Sequence, residues 1–307
     1  MYPDKNTEAA LTANFFFFLV AIDHRTHPDG QQYTGIVNGT QLTGAELLWS
    51  LAKRRFDEDP DFFSPLKLSN VSVKEIIELF KVNQPQQIDV AGPESRTLLL
   101  RDCAQVLQTK FEGSILNVVA ASEGLLVRDD SLGFLQQLKQ FKAYEDPINK
   151  KSFLLSKFLE RRHFVTFKDP TNLHVPVDNI LLRLALRTGI VKVTDSNLDQ
   201  KIRTDVTVSP DEEYALRLFT RYAFDRVGAL LKMNATYLDD ILWEFGRAQC
   251  QVPKPFCDTL PNDPFRRAYR MIRAGPIGEC PFSQGCAAYK RPEMWTLKEP
   301  NVKTIYY

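Results

Sequence analysis

The chain has 307 residues, of which 44% are hydrophobic and 25% charged, and a formal net charge of +1. That length allows one large domain or two of ordinary size with ample core, and the composition is that of a soluble globular protein. A charge so near zero excludes a global field for nucleic acid, so any such contact must come from a local patch. The longest apolar run, residues 15–22, is eight residues long and ends at Asp23. It is too short to span a bilayer, and only Lys5 is basic ahead of it. With no small-residue cleavage site behind it, it reads as a buried strand or helix, and a cytoplasmic location is the expectation.

Asp23, His24, Arg25 and His27 follow, and then the turn formers Pro28, Asp29 and Gly30. The cluster reads as a solvated loop, with metal binding or a place in a substrate pocket as the sharper alternatives. Tyr33, Ile36 and Val37 suggest a short hairpin. Thr43 is placed to cap a helix over residues 45–56, and Ser72 with Glu75 forms a capping box for one ending at Phe80. Residues 83–94 are polar and turn-rich and mark a lobe boundary. Helices are expected over residues 96–111, 114–126 and 131–141, and over 146–162 opened by Asp146-Pro147. Asp178 opens a helix over Asn179–Thr188, which Gly189 closes in a left-handed cap. Two more span Pro210–Leu231 and residues 234–247. The expected architecture is all-α and two-lobed, with segments 1–90, 91–232 and 233–307.

Four of the five cysteines fall within residues 250–286. Cys250 and Cys257 are spaced C-x6-C, Cys280 and Cys286 C-x5-C, with 22 residues between the pairs. Soft thiolate ligands suit zinc or an iron–sulfur cluster. Structural zinc sites favour tighter pairs, so the wide loops tilt the choice to a [4Fe–4S] cluster. Two disulfides or unrelated buried thiols are the alternatives, and a reducing cytosol disfavours the first.

The segment VPVDNILLRLALRTGIV resembles the part of helix-hairpin-helix DNA glycosylases in which a valine-aspartate pair opens a helix and supplies the catalytic carboxylate. LDDILWEFGRAQC is similar to the helix that leads into the first cluster cysteine of cluster-bearing members. Their usual loop is C-x6-C-x2-C-x5-C, and here the middle interval is widened from 2 to 22 residues. A second resemblance, over about residues 13–245, is to the queuosine salvage proteins, which are nucleoside-type glycosidases of related helical fold. It rests on ANFFFF, GAELLWSLAKR, RTLLLRDCAQVLQTKFEGS, KKSFLLSKF, FKDPTNLHVPVDNILLRL and NATYLDDILWEF. Together these imply a glycosylase-like fold with a C-terminal iron–sulfur loop.

Breaking an N-glycosidic bond builds positive charge on the sugar, which a carboxylate stabilises. The resemblance puts Asp178 in that role, against the plainer reading of a helix cap. Asp239 and Asp240 are candidates for sugar hydroxyls, or a helix-surface pair. Phe16 and Phe18, with Trp49 and Asp23, are candidates for stacking and binding a base, or plain core. Bifunctional DNA glycosylases carry a lysine nucleophile near the place of Lys151; Lys150 and Lys157 compete, and a solvated lysine is the default. A duplex-binding hairpin needs glycine-rich N–H groups, whereas Asp146-Pro147-Ile148-Asn149 lacks glycine and places a carboxylate to repel phosphate. The expected substrate is therefore a modified nucleoside or nucleotide, with no membrane partner. The alternatives are a DNA glycosylase acting on a flipped base and a non-catalytic iron–sulfur protein that binds nucleic acid.

Overall fold

The computed structural model describes residues 2–4, 7–27, 31–257 and 280–307. The chain divides into two compact units, one of residues 1–172 with 304–307 and the other of residues 173–303. Among the described residues their elements are helical except for one two-stranded hairpin.

In the first unit the apolar run is a helix, α1 (Ala9–Ile22), buried on every side from Thr12 onward. A helix apolar all round belongs at the centre of a core. Helices α2 (Ala45–Glu58), α3 (Pro65–Leu68), α4 (Val73–Phe80), α5 (Pro93–Phe111), α6 (Ile115–Ala121), α7 (Phe134–Leu138) and α8 (Lys150–Arg161) complete the unit. Among these, α8, α5, α6 and α2 pack directly against α1. Each of Phe15–Phe18 is at most 1% exposed, and burying one such side chain contributes about 2 kcal/mol.

The core helix also carries a buried amide. Asn14 Nδ2 donates to Gly113 O at 2.8 Å, and its Oδ1 accepts from Ile115 N at 3.0 Å, joining the end of α5 to the start of α6. The strands β1 (Thr34–Val37) and β2 (Thr40–Thr43) pair antiparallel, with Thr34 opposite Thr43. Asn38 and Gly39 both have positive φ, as a two-residue hairpin turn of right-handed twist requires.

The second unit is built round α9 (Asn179–Thr188), against which α11 (Pro210–Leu231), α12 (Ala235–Ala248) and α13 (Ala287–Lys290) pack. Helix α10 (Ser196–Thr204) precedes α11.

Several expected ends hold. Ser72 and Glu75 form the capping box of α4, Asp178 caps α9, and Gly189 closes α9 at φ 79°. Others move. Gly44, not Thr43, is the N-cap of α2, because Thr43 is held in the hairpin with its hydroxyl 3.2 Å from that of Thr34. The helix expected over 114–126 stops at Ala121, since Glu123 and Gly124 turn left-handed. The one expected over 131–141 shrinks to α7, with Ser131 at positive φ before it. Helix α8 begins at Lys150 rather than at Asp146-Pro147, because Asn149 adopts φ 59° and ends the preceding turn.

The Asn14 bridge gives a stability prediction. Asn14→Ala leaves the half-buried Gly113 carbonyl and the buried Ile115 N–H without that partner. Urea unfolding should show a loss of about 3 kcal/mol, at roughly 1–3 kcal/mol for each orphaned group. A loss below about 1 kcal/mol would mean that the bridge is not what fixes the α5–α6 corner.

Candidate functional site

In the second unit, Asp178 sits at the junction of the extended segment and α9. It is 7% exposed. Its Oδ1 accepts from Leu181 N at 2.9 Å, and its Oδ2 accepts from Trp243 Nε1 at 3.1 Å. The cap role is therefore real, but it uses only one oxygen. The second oxygen is fixed by an indole from α12, whose ring lies 5.1 Å from the Arg247 guanidinium carbon. A carboxylate held from two directions keeps one orientation, which an electrostatic catalyst needs. On the same helix as Trp243, Asp239 is 4% exposed and Asp240 half-buried, so the pair is not a solvated surface pair.

The first unit gathers three of its four candidates. Trp49 Nε1 donates to Asp23 Oδ2 at 3.0 Å. The Trp49 ring lies 5.0 Å from that of Phe158, and Phe16 stacks on Phe158 at 5.1 Å and 11°. Tyr2 closes the cluster at 5.8 Å from Trp49 and is 45% exposed. Phe18 points elsewhere: two residues along a helix from Phe16, it faces nearly the opposite way and its ring meets Phe17 at 5.1 Å.

Two expectations for polar groups in this unit fail. Lys151 is not solvated; it is fully buried, and Lys150 and Lys157 are each only 6% exposed. Lys151 Nζ donates to Ala21 O at 2.5 Å and lies 3.5 Å from His24 Nδ1. Burial, reinforced by the neighbouring Lys150, pushes the Lys151 ammonium well below the usual lysine range. His24 is not in a solvated loop either, being 4% exposed. Its carbonyl accepts from Arg96 Nη2, and Arg96 Nη1 donates to Ala91 O. His27 Nδ1 accepts from Tyr33 N at 2.8 Å. The sequence hint for buried lysines lies in α8 itself, where Phe153, Leu154, Leu155, Phe158 and Leu159 cover most of the helix circumference.

The turn before α8 also differs from its reading as a repulsive surface. Asp146 is fully buried, and its carboxylate accepts from Ile148 N at 3.3 Å and Lys150 N at 2.8 Å. The amide donors that would meet a phosphate in a nucleic-acid-binding hairpin are already taken.

The four C-terminal cysteines come together. Cys250, Cys257, Cys280 and Cys286 are each at most 9% exposed and line one cavity in the second unit. Its apolar walls include Leu184, Phe245, Pro255, Phe256, Phe282 and Ala288. None of the five cysteines is in a disulfide. Burial, with the other three thiols close by, pushes the Cys280 thiol up to about 12. Arg183 Nε and Arg187 Nη1 both donate to Cys250 O, at 2.9 and 3.2 Å, and Arg187 Nη1 also lies 3.6 Å from Cys250 Sγ. Residues 258–279, the expected middle of the cysteine loop, lie outside the described residues. Among the described residues, no three His, Cys, Asp or Glu side chains are placed to hold a single metal ion. Cys103 stands apart, fully buried in the first unit.

Comparison with known proteins bears on both units. The profile of the queuosine salvage protein family matches residues 2–152, all of them within the first unit. The stretches of the second unit that carry the same resemblance lie outside that match. No curated protein matches the chain in sequence. Among solved structures, the chain is similar to a trapped covalent intermediate of endonuclease III with DNA, an estranged-adenine complex. That likeness covers 95% of this chain and 90% of the other, at a TM-score of 0.50 and 13% identity. The fold is glycosylase-like. Among the described residues, no helix is long and apolar enough to cross a membrane.

His24 yields a pH prediction. Burial, with Lys151, Arg96 and Lys150 nearby, holds its imidazole well below the usual histidine range. Unfolding therefore takes up a proton in the window from about 6.5 down to the lowered folded value, and stability is lost as pH falls through that window. Lys151, lowered in the same way, acts with the same sign. Urea midpoints should fall from pH 7.5 to pH 5, with His24 adding up to about 1.4 kcal/mol per pH unit. His24→Gln should flatten that slope by one proton, and an unchanged slope would show that His24 does not titrate on unfolding.

Proposed function

We propose that the chain is an N-glycosidase that hydrolyses the base–sugar bond of a queuosine-like modified nucleoside or nucleotide. The observation that carries the reading is Asp178, nearly buried at a helix start, with one oxygen capping α9 and the other fixed by Trp243. In such a position the carboxylate stabilises the oxocarbenium-like sugar and orients the attacking water. Asp239 and Asp240 are assigned to sugar hydroxyls. In the first unit, taken by itself, the cluster of Phe16 and Trp49, with Asp23 fixing the indole, is an aromatic wall of the kind that stacks a planar ring, and Phe18 lies outside it. The queuosine salvage match over residues 2–152 supports the substrate class.

The runner-up, a DNA glycosylase, draws on the fold likeness to endonuclease III, but the turn before α8 weighs against it. Its Ile148 and Lys150 amides serve Asp146 rather than a phosphate. Duplex affinity needs several phosphates neutralised, and the net charge is +1.

Cys250, Cys257, Cys280 and Cys286 are assigned as ligands of a [4Fe–4S] cluster. A four-iron cluster takes one thiolate per iron, so its ligands stand farther apart than those around one ion. The apolar cavity, the absence of disulfides at these residues and the Arg187 cation beside Cys250 all fit that group. When bound, the cluster cross-links the segments on either side of residues 258–279 and supplies an electron-storing centre. Protein purified anaerobically should carry about four irons per chain and absorb broadly in the visible. Cys257→Ser should lower the iron content and destabilise the second unit, and stoichiometric zinc without iron would overturn the assignment.

The test of Asp178 is base release from modified nucleosides and their 5′-monophosphates, run beside single- and double-stranded DNA with damaged bases. Asp178→Asn keeps the cap, because asparagine is a good N-cap, and costs about 1–3 kcal/mol where its NH2 would face the Trp243 N–H. Turnover should fall by two or more orders of magnitude, equivalent to roughly 3–4 kcal/mol of transition-state stabilisation, with substrate binding retained. Release at the wild-type rate would remove Asp178 from the mechanism.

A further inference from the structure

Gln249 follows α12 and immediately precedes Cys250. Its backbone is fully used, with N donating to Phe245 O at 2.8 Å and O accepting from Phe256 N at 2.9 Å. Its side chain is not. The residue is 1% exposed, and neither Oε1 nor Nε2 has a hydrogen-bond partner. Gln249 lines the same cavity as the four cysteines. The walls around it are mostly apolar, and the hydroxyl of Thr188, which also lines the cavity, is already given to Leu184 O at 2.8 Å. No protein atom in that wall therefore satisfies the amide.

A buried primary amide without partners is costly, and buried polar groups in folded proteins are nearly always paired. The amide has two N–H donors, and the cavity beside it is framed by sulfur. Thiolate and sulfide sulfurs bear negative charge and accept charge-assisted hydrogen bonds. We propose that Gln249 donates an amide N–H to a sulfur of the group held by Cys250, Cys257, Cys280 and Cys286, and so raises its reduction potential and slows its loss. The inference rests on the cluster reading given above. Its direction follows from electrostatics: an N–H dipole aimed at the sulfurs favours the more negative, reduced state. Gln249 is thus a positioning residue for the cluster, distinct from Arg187, whose guanidinium reaches the same region from α9.

The experiment uses the full chain, purified anaerobically, as wild type, Gln249→Leu and Gln249→Glu. Leucine removes the polar end, and glutamate keeps the shape while replacing the donor by acceptors. Iron and sulfide are measured first, then the midpoint potential by mediated titration followed in the visible. Gln249→Leu should lower the reduction equilibrium constant about tenfold, or 59 mV for a one-electron couple, and Gln249→Glu should lower it further. Iron release to a chelator in air should be several times faster in both. The chelated, metal-free Gln249→Leu protein should be at least as stable as metal-free wild type, which separates tuning from a general packing defect. Equal potentials and release rates in three iron-bearing proteins would overturn this proposal alone. A wild-type chain without iron would overturn the cluster reading and this one with it.

Discussion

The second unit depends on two guanidinium groups sharing one carbonyl. Arg183 and Arg187, one turn apart on α9, both donate to Cys250 O, and between them they also reach Gly246 O, Gln251 O, Leu297 O and Trp295 O. A planar guanidinium has five N–H donors in fixed directions, so it can close several chain segments at once where a lysine cannot. Arg183 also forms an ion pair with Glu299 at 2.8 Å. Helix α9 therefore carries the Asp178 carboxylate at its start and grips the first cysteine from its flank. Any shift of the cysteine segment is felt along the same helix that holds the proposed catalytic group.

The first unit buries its cations by another route. Lys151 and Arg96 meet backbone carbonyls rather than carboxylates at close range. Ala21 O belongs to the last turn of α1, where unpaired carbonyls and the helix dipole favour positive charge. Burial still exceeds that attraction for Lys151, which is why its ammonium is pushed down. The two units nonetheless repeat one device, an aspartate held by an indole N–H: Asp23 by Trp49 and Asp178 by Trp243. In each, the indole supplies an apolar wall and a single directed donor, fixing a carboxylate without bringing a countercharge.

What could be read from the sequence was what local chemistry decides. Ser72 with Glu75, Asp178 and Gly189 lie where short-range hydrogen bonds and φ preferences put them, and the cysteine spacing pointed to the shared cavity that the fold makes. The Asn38-Gly39 turn was equally local, and was there to be read beside Ile36 and Val37. Tertiary placement decided the rest. Lys151 is buried because α1 and α8 pack together, and nothing in KKSFLLSKF distinguishes it from Lys150. Gln249 looks like an ordinary polar residue at a helix end until the cavity beside it is seen. The segments 114–126 and 131–141 hold shorter helices than their apolar periodicity predicts, because the backbone itself turns left-handed at Glu123 and Ser131.

Asp146 shows how one side chain can fill an anion-binding turn from within. A turn of this shape, leading into a helix, is a general receptor for oxyanions, and here the receptor is filled by a carboxylate from its own chain. An internal anion at fixed geometry has no translational entropy to lose, so an external phosphate competing for the same amides starts at a disadvantage. In this turn one side chain, by occupying the Ile148 and Lys150 amides, closes the receptor to any other oxyanion.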